Sequence, residues 1–446
     1  MAQTKTDRIY HALREQIKSG ELVEGSKLMS LRQAAEQFGA SKNTMVAVYD
    51  LLVANGLVHS RHGAGFFVAH AVATTAEPAN LREARDSVSL LHAQLDRPYT
   101  VLAGDGRPPE SWLLTSAPSV SLATGEGGYG TPHGLVALRE YIAASHMDAG
   151  IRVSPNQIVT TFGANHALDL VIRRFCRPGE TVLVDDPGYY PLFAKLKLTG
   201  VNVIGIPRGP DGPDCDALDS AAQQHSAHLF FTQSLAQNPT GYSIALPVAH
   251  SVLKVAEHHN MLIIDDDPFI DIPNVSGTRL ASLDLFHRVI QIGTFSKVLT
   301  PTFRSGYIIA EPNIADSLAE LKMVLTVNSS SHMERLIANI MRTGRYQKQC
   351  LRLSKRLIKE RNASIEHLNN IGFDLDSDLI EGLYGWLPLP SRRSDIEIAK
   401  AASEQGIFLA PGSLFRVEEH TGAPAMRVNW SRVNDSRFYS FLRSLF

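Results

Sequence analysis

The stretch that decides the fold reads Thr294-Phe-Ser-Lys297-Val-Leu-Thr-Pro-Thr-Phe-Arg304. It places hydroxyl side chains three residues and one residue before a lysine, and an arginine seven residues after it. A lysine amine can form a Schiff base with a carbonyl group, and hydroxyl and guanidinium groups can bind phosphate. A surface lysine on a loop is the alternative, so the interpretation depends on the motifs that surround this stretch.

Two polar motifs precede the lysine, each at the predicted end of a strand. Asn238-Pro-Thr-Gly241 places one amide on a rigid turn, although the same residues also make an ordinary turn. Asp265-Asp-Asp267 ends the apolar run 261–264. A carboxylate there can keep a pyridine nitrogen protonated, whereas stacked aspartates also suit Mg²⁺. No loop for nucleotide phosphates lies nearby, which disfavours the metal.

Apolar runs typical of strands alternate with helical stretches from about residue 97 onward. The clearest runs are 157–161, 181–185, 201–206, 228–232, 261–264 and 288–293. Strands separated by helices predict an α/β domain with a parallel or mostly parallel sheet. Since ligands bind at the carboxyl ends of such strands, the motifs that follow them are expected to share one pocket.

Two other strand ends carry candidate ligand-binding residues. Gly163-Ala164-Asn165 opens a predicted helix, and the free N–H groups of a helix N-terminus suit a phosphate. Tyr189 follows the run 181–185 and can stack on an aromatic ring. Taken alone, the first motif is an ordinary strand-to-helix turn and the second a packing tyrosine.

The ordered set from Gly163 to Arg304 resembles the fold-type I aminotransferases, over roughly residues 97–446. The resemblance implies an α/β transferase fold with a smaller C-terminal α+β subdomain, and pyridoxal 5'-phosphate (PLP) as cofactor. Lys297 would then form the Schiff base, Asn238 would meet the phenolic oxygen of the cofactor and Asp266 its ring nitrogen. The remaining cofactor-binding residues that it implies are Gly163, Ala164, Asn165, Tyr189, Thr294, Ser296 and Arg304.

Three more positions bear on this resemblance. Tyr129 matches a tyrosine that these enzymes lend across a dimer to the partner's phosphate, and Arg427 matches the arginine that binds a substrate carboxylate. Phe269 occupies the expected place of a tyrosine whose hydroxyl also meets the phenolic oxygen. Its loss removes one hydrogen bond and favours a protonated imine, which puts efficient transamination in doubt but not cofactor binding.

The first seventy residues predict a winged helix-turn-helix, mostly α-helical with a β-wing. Residues 6–19 and 31–38 have helical patterns that end at glycines, and Ser41 is an N-cap for a third helix. Residues 57–68 predict two short strands around a glycine turn. In such a head, the leading end of one helix faces base edges in the major groove. Here that end carries Ser41, Lys42, Asn43 and Thr44.

Residues 4–68 resemble the GntR family of regulators. The DNA contacts that this resemblance implies are Arg32, Lys42, Asn43, Thr44, His62 and Gly63. Met29 stands where the family usually has proline, and Lys42 replaces the commoner arginine. Lysine attracts phosphate but lacks the bidentate geometry that recognises guanine. A small helical interaction domain with solvated polar residues is the alternative.

The predicted domains are 1–70 for the DNA-binding head, 71–96 for a linker and 97–446 for the aminotransferase-like domain. Residues 69–86 are rich in Ala and Thr, with a possible short helix near 81–85. A flexible chain of that length reaches about 25 Å. The formal net charge is −2, divided as +2 for residues 1–70 and −4 for the remainder.

Composition favours a cytoplasmic protein. No apolar run approaches the roughly 20 residues needed to span a bilayer, and the first ten residues lack the apolar region of a signal peptide. The three cysteines, Cys176, Cys215 and Cys350, are scattered along the chain, which indicates reduced thiols rather than a disulfide framework.

The two resemblances together identify the chain as similar to the MocR subfamily of GntR-type regulators. They imply a head-to-tail homodimer that binds PLP and promoter DNA and senses an amino compound or vitamin B6. Two alternatives stay open: a working PLP-dependent aminotransferase with a DNA-binding head, and a PLP-binding scaffold whose head contacts proteins. The sequence leaves open the effector, the direction of regulation and the operator.

Overall fold

A computed structural model describes residues 5–61, 63–69, 79–86, 99–114, 129–273, 275–390, 393–418 and 422–446. The chain divides into two compact units, Met1–Pro78 and Ala79–Phe446. Within the described ranges, no helix combines the length and the apolar character that a membrane span needs.

The smaller unit has the predicted order of three helices and a β-ribbon. Its elements are α1 (Lys5–Lys18), α2 (Leu31–Gln37), α3 (Lys42–Ala54), β1 (Val58–Arg61) and β2 (Gly65–Val68). β1 and β2 are antiparallel, with Val58 opposite Val68. The prediction of a winged helix-turn-helix is confirmed.

Caps and a small apolar core fix these helices. Ser30 and Gln33 form a reciprocal capping box at the start of α2, and the Ser41 side chain accepts from the backbone N–H of Thr44 at the start of α3. Met45, Val48, Tyr49 and Leu52 on one side of α3 are buried against α1 and β1. The Tyr49 hydroxyl donates to the Met29 carbonyl at 3.0 Å, so this buried tyrosine has its polar end satisfied.

The larger unit is built on an eight-stranded mixed sheet. Its strands are β3 (Ile158–Thr161), β4 (Thr181–Asp186), β5 (Asn202–Gly209), β6 (Gly212–Pro213), β7 (Leu229–Thr232), β8 (Leu262–Asp266), β9 (Val289–Thr294) and β10 (Gly306–Ile309). Their order across the sheet is β3-β10-β9-β8-β7-β4-β5-β6. The five strands from β9 to β5 are parallel, while β10 is antiparallel to both of its neighbours and β6 is antiparallel to β5.

Helices cover both faces of this sheet. They are α4 (Ala79–Asp86), α5 (Val136–Asp148), α6 (Ala164–Phe175), α7 (Tyr190–Thr199), α8 (Cys215–His225), α9 (Leu246–His258), α10 (Leu280–Asp284), α11 (Pro312–Thr326), α12 (Ser331–Arg342) and α13 (Arg345–Asn370). Successive strand residues enter different cores: Leu183 and Ile263 lie in one apolar cluster, and Val184 and Ile264 in another. This burial on both faces explains why the strands are continuous apolar runs.

A smaller C-terminal α+β subdomain follows, as predicted. It contains β11 (Tyr384–Pro388), β12 (Ala410–Pro411), β13 (Ala425–Asn429), α14 (Asp395–Glu404) and α15 (Ser436–Arg443), with β13 between the other two strands. Its apolar core centres on Trp430, whose indole N–H donates to the Tyr384 carbonyl. Residues 99–107 are bonded to this subdomain, for example through the Asn429 N–H to the Ala103 carbonyl.

Part of the predicted linker is folded. α4 confirms the short helix expected near 81–85, and it packs on α7, where the Asn80 side-chain amide donates to the Leu198 carbonyl at 2.9 Å. This stretch therefore belongs to the larger unit rather than to a freely flexible chain. Residues 71–78 and 87–96 of the predicted linker lie outside the described residues.

Candidate functional site

A cavity of about 180 Å³ lies at the carboxyl ends of β3, β4, β7, β8 and β9. The structure brings nine of the predicted cofactor residues to its wall: Ala164, Asn165, Tyr189, Asn238, Asp266, Thr294, Ser296, Lys297 and Arg304. Gln233, Pro268, Pro301, Arg107 and Tyr384 complete the lining. The position of the cavity follows from the parallel strands, whose carboxyl ends meet at one edge of the sheet.

Asp266, the last residue of β8, is buried and only half satisfied. Its Oδ2 accepts a hydrogen bond from the Gln233 side-chain amide at 3.1 Å, whereas no described residue donates to its Oδ1. Burial, followed by repulsion from Asp265 and Asp267, raises the pKa of Asp266 to about 7. Asp266 therefore lies on the cavity wall with one carboxyl oxygen that lacks a donor among the described residues.

The three consecutive aspartates have separate partners. Asp265 accepts from the backbone N–H and the hydroxyl of Ser234, and Asp267 forms an ion pair of 3.3 Å with Arg279. Among the described residues, no three His, Cys, Asp or Glu side chains converge in a group that could hold a metal ion. Of the three aspartates, Asp266 is therefore the one with a buried carboxyl oxygen that lacks a donor among the described residues.

A chain of buried polar groups holds Gln233 in place. The Arg208 guanidinium donates to Asp185 Oδ2 at 2.8 Å and to the Gln233 carbonyl at 3.0 Å. The Gln233 side-chain oxygen accepts from the Asn238 backbone N–H at 2.7 Å, while its amide binds Asp266. One side chain therefore sets the positions of both the carboxyl and the Asn238 turn.

Lys297 has a partner on the opposite wall of the cavity. Its ammonium donates to the Gly106 carbonyl at 2.6 Å, and the Tyr384 hydroxyl donates to the same carbonyl at 2.9 Å. The ammonium also lies 5.8 Å from the centre of the Tyr384 ring. The amine thus stands inside the cavity, half-buried, within reach of a ligand held between Asp266 and Arg304.

The start of α6 and Arg304 form a cationic corner. Gly163 precedes α6 with a φ of +87°, and a Cβ there would lie 3.2 Å from an Arg304 guanidinium nitrogen. That guanidinium donates to the Phe162 carbonyl at 3.1 Å. The first N–H groups of a helix lack partners within the helix, so Ala164 and Asn165 add two donors beside the arginine. Gly163 itself is not on the cavity wall but lets Arg304 approach.

Arg427, on β13, lies directly behind the cavity wall. It is buried, donates to the Gly104 carbonyl and to Asn238 Oδ1, and packs between the rings of Tyr384 and Phe415 at 5.0 and 4.9 Å. Because Arg427 donates to Oδ1 of Asn238, the side-chain nitrogen of Asn238 remains available to donate to a ligand. Arg427 is thus adjacent to the cavity through Asn238 without being part of its lining.

Two of the positions named from the sequence, Tyr129 and Phe269, do not line the cavity. Tyr129 is 78% exposed and does not contact the cavity of its own chain. Phe269 is buried with its ring against Tyr384, at 6.0 Å between centroids, and Pro268 is the residue of that segment on the cavity wall. Phe269 itself is therefore not on the cavity wall, and its correspondence to a cofactor-binding tyrosine stays a prediction.

Sequence reasoning missed Gln233, Arg107 and Tyr384. Gln233 follows β7 directly, so the rule used for the other strand ends would have found it. Arg107 and Tyr384 come from the 99–114 segment and the antiparallel C-terminal sheet, to which that rule does not apply. Tyr384 supplies a hydroxyl to the cavity that no motif in the sequence indicated.

The candidate DNA-binding surface is at the start of α3. Ser41, Lys42 and Asn43 are exposed, and the hydroxyls of Ser41 and Thr44 are bonded to each other at 2.8 Å in the cap. Arg32 has a 90% exposed side chain, 3.8 Å from Glu36. Gly63 has a φ of +74° at the turn of the wing, and His62 lies outside the described residues.

The wing carries two cations that the sequence analysis did not single out. Lys27 and Arg61 are both exposed, and the Arg61 guanidinium stacks over the Phe67 ring at 4.9 Å. The backbone of Lys27 forms an antiparallel β-bridge with Phe67, and the end of the Lys27 side chain lies beside Gly65. Together with Lys42 and Arg32 they provide the local positive charge that a net charge of +2 did not reveal.

Comparison with known families and structures agrees with this geometry. The family described as "Aminotransferase class I and II" matches residues 99–444. The chain belongs to this family. Residues 5–68 match the family described as "Bacterial regulatory proteins, gntR family". The predicted fusion of a GntR-type head with an aminotransferase-like domain is therefore confirmed.

Proteins named as regulators match this chain along most of its length. "Uncharacterized HTH-type transcriptional regulator YdcR" of Escherichia coli (strain K12) is 25% identical, covering 96% of this chain and 93% of its own length. "Probable rhizopine catabolism regulatory protein MocR" of Rhizobium meliloti is 28% identical over 79% and 75%. A kynurenine aminotransferase of Pyrococcus horikoshii, solved with PMP, has a TM-score of 0.71 at 22% identity, over 81% of this chain and 93% of that structure, which shows the shared fold.

Proposed function

We propose that this protein is a DNA-binding transcription regulator that holds PLP in its aminotransferase-like domain and responds to an amino compound or to vitamin B6. One observation carries the proposal. The same chain joins a GntR-type head to a cavity in which a lysine amine, an unpaired carboxyl oxygen and a cationic corner converge. The predicted cytoplasmic location and homodimer are part of this proposal.

The residues present fit the cofactor. The Asp266 Oδ1 that lacks a donor suits the N–H of a pyridinium ring, and the corner formed by Arg304 and the start of α6 suits a phosphate. Lys297 stands between them with its amine directed into the cavity. When bound, PLP supplies an aldehyde for attachment to an amine and a ring that accepts electrons.

Each side chain then has a defined task. Lys297 would hold the cofactor through its amine, Asp266 would accept a hydrogen bond from the ring nitrogen, and the Asn238 amide nitrogen would donate to the phenolic oxygen. Tyr189, which burial keeps neutral by raising its pKa, packs on the ring face. Arg304 holds the phosphate together with Thr294, Ser296, Ala164 and Asn165.

The DNA-binding role rests on the exposed polar start of α3 and on the cations of the wing. Lys42 and Asn43 are free to contact DNA, because the cap of the helix uses the hydroxyls of Ser41 and Thr44. Arg32, Lys27 and Arg61 then face phosphates. A surface that works through such cations loses affinity steeply with added salt.

An apolar surface supports the homodimer. At the end of α11, Met323, Val324, Leu325 and Val327 are 50, 79, 42 and 45% exposed. A Cβ on Gly130, next to the exposed Tyr129, would lie 3.1 Å from the Asn328 amide, so this surface and the tyrosine are neighbours. Apolar patches of this kind mark protein interfaces. A partner there would place Tyr129 where it can reach the partner's phosphate.

The test is a visible-absorbance titration of the full chain with PLP, followed by binding to promoter DNA with and without candidate amines. We expect wild type to show a PLP band that Lys297→Ala lacks, and an amine that alters both this band and DNA affinity. Lys297→Ala should keep some DNA binding and lose the amine response. An amine response that survives in Lys297→Ala, or no band in wild type with excess PLP, would refute the proposal.

A working aminotransferase is the second candidate. The observation that favours it is the Lys297 amine, which shares the Gly106 carbonyl with the Tyr384 hydroxyl, since a lysine so placed can move a proton on bound substrate. Its test is turnover: the formation of a keto acid from an amino donor with 2-oxoglutarate. Catalytic turnover would favour the enzyme, and a stable spectral change without keto acid would favour the regulator.

A further inference from the structure

The exposed face of α3 carries apolar side chains that contribute neither to the core of the head nor to the proposed phosphate contacts. Val46 is 37% exposed, and Ala47 beside it is also exposed. Both follow Lys42 and Asn43 by about one helical turn. Single apolar side chains on a surface are common, so the groups around this pair decide what it can bind.

Helical spacing places these residues on one side of α3. The exposed residues of that side are Asn43, Val46, Ala47 and Asp50. Their spacings of three and four residues make them neighbours on the helix surface. The buried residues of α3 are Met45, Val48, Tyr49 and Leu52. The core of the head therefore holds one side of the helix and leaves the other side open to a ligand.

The residue types on this side favour A·T base pairs. Residues 43–54 of α3 include no Lys, Arg, Gln or His. In the major groove, Arg or Lys recognises guanine, an amide recognises adenine, and apolar side chains contact the 5-methyl group of thymine. Asn43 thus suits adenine, whereas Val46 and Ala47 suit a thymine methyl group. Lys42, at the first residue of α3, is placed to contact a phosphate.

Asp50 limits how much of α3 can enter the groove. Its carboxylate would be repelled by the phosphates that line both edges of the groove. In helix-turn-helix proteins, the N-terminal residues of the recognition helix contact the base edges. Val46 and Ala47 lie in the turn before Asp50, so they are still within that part. Their rise of about 5 Å from Asn43 corresponds to between one and two base-pair steps of about 3.4 Å.

The charges beside this face favour DNA over a protein as its partner. Lys42 precedes Val46 on α3, and Lys27 and Arg61 are exposed cations at the wing of the same unit. Protein interfaces of monomers are marked by larger contiguous apolar patches. Two small apolar side chains among an amide, a carboxylate and nearby cations instead match the groove of DNA, where methyl groups lie between phosphates.

We infer that α3 recognises an A·T-rich half-site, in which Val46 contacts the 5-methyl group of a thymine within two base pairs of the adenine bound by Asn43. This inference rests on the proposed function, because it requires that the head bind DNA through α3. The contact involves no hydrogen bond. Removal of the thymine methyl group should therefore weaken binding without changing base pairing.

The test begins with DNA duplexes that the wild-type full chain selects from a random-sequence pool. Each thymine of the selected duplex is then replaced singly by uracil, which lacks only the 5-methyl group. We expect one such replacement to lower the affinity of wild type about fourfold, as the loss of one buried methyl contact predicts. Adenine should lie within two base pairs of that position.

Two valines of α3 provide the variant and its matched control. Val46→Ala should bind the thymine and uracil duplexes equally, with about the wild-type affinity for the uracil duplex. Val53→Ala alters a valine that is 38% exposed on the last turn of the same helix. It should keep the full effect of the uracil replacement.

A third variant should show a gain that misfolding cannot imitate. Val46→Arg should select a G·C pair where wild type selects the A·T pair, because an arginine there can donate two hydrogen bonds to guanine. If wild type binds its selected duplex but no uracil replacement weakens binding, or if the uracil effect persists in Val46→Ala, the inference is wrong and the proposed function stands. If wild type selects no duplex, the DNA-binding part of the proposed function fails first, which distinguishes the two failures.

Discussion

Asp266 shows at the scale of one residue how a ligand site lowers stability. Its side chain is buried, and one carboxyl oxygen has no donor among the described residues. The charged form lacks the solvation that water would provide, and Gln233 and Lys297 offset only part of that loss. In the proposed function, the bound cofactor would satisfy this group.

The substitution Asp266→Asn is expected to stabilise the cofactor-free protein. The pKa of about 7 in the folded state lies above the ordinary value of 3.8, so the folded protein binds more protons than the unfolded chain between these values. Stability therefore falls as the pH rises through this window, by up to about 4 kcal/mol for the one carboxyl. The gain from Asn should be largest above pH 7 and small near pH 4, measured by denaturant unfolding across pH.

Asp148→Asn, at an exposed position on α5, is the control and should change neither the stability nor its pH dependence. Some pH dependence should survive in Asp266→Asn, because burial also raises the pKa of Asp265 to about 7. The same Asp266→Asn protein should bind PLP more weakly. Equal or lower stability at pH 8 would contradict the argument that Asp266 is held at an energetic cost.

The residues of the cavity differ in how far sequence could locate them. Lys297, Asp266 and Asn238 follow parallel strands, and a strand that is buried on both faces is visible as an apolar run. Tyr384 begins an antiparallel strand of another sheet, and Arg107 precedes two prolines in an irregular segment. Their approach to the cavity depends on how the subdomain packs, which local sequence does not encode.

At the scale of elements, the proposed phosphate site at the start of α6 depends on one glycine, Gly163, which lets Arg304 approach. Gly163→Ala would force a side chain into a left-handed backbone conformation, at a cost of about 1–2 kcal/mol, and displace Arg304. We expect the dissociation constant for PLP to rise about tenfold, as the loss of one charge-assisted contact predicts, with little change for pyridoxal, which has no phosphate. Absorbance titrations with both compounds measure this.

Gly179→Ala is a matched control, because Gly179 has a φ of +86° and no atom within 4 Å of an added Cβ. It should show the same loss of stability without the loss of PLP affinity. A similar fall in affinity for pyridoxal and PLP in Gly163→Ala would mean that the glycine supports the fold of the site rather than the phosphate contact.

The start of α3 is the corresponding element in the head. Lys42→Gln should weaken binding to every DNA sequence alike and reduce the slope of log affinity against log salt by about 1, because one phosphate contact is lost. Arg8→Gln, at an exposed position of α1, removes the same charge away from the predicted groove-facing end. If both substitutions reduce the slope equally, the effect belongs to the net charge of the head and not to α3.

The larger elements were predicted well because their core is layered. Each predicted strand overlaps an observed one, since helices cover both faces of the sheet and leave no polar alternation. β5 continues to Gly209, beyond the predicted run, because its end pairs with the two-residue strand β6. β10 was not singled out: it has four residues, and its antiparallel place between β3 and β9 depends on long-range pairing.

At the scale of the molecule, the two units differ in how much apolar surface a partner would cover. The smaller unit has its own core, with buried residues from all three helices and both strands. The larger unit leaves the end of α11 uncovered, and Val324 there is among its most exposed apolar side chains. Exposed apolar patches of this kind mark protein interfaces. In the proposed homodimer, a second copy of the chain would cover this patch.

Val324→Glu is therefore expected to shift the protein from dimer to monomer, because each copy would bury an unpaired carboxylate at the interface. Sedimentation measures the shift, and the PLP titration should show weaker binding in the monomer, since the partner's Tyr129 can no longer reach the phosphate. Tyr129→Phe should reproduce the weaker binding without the change in mass.

Val23→Glu, at a valine that is 64% exposed in the head, controls for added surface charge. A Val324→Glu protein that remains dimeric would show that the end of α11 is not the interface, and normal PLP affinity in a confirmed monomer would remove Tyr129 from the site.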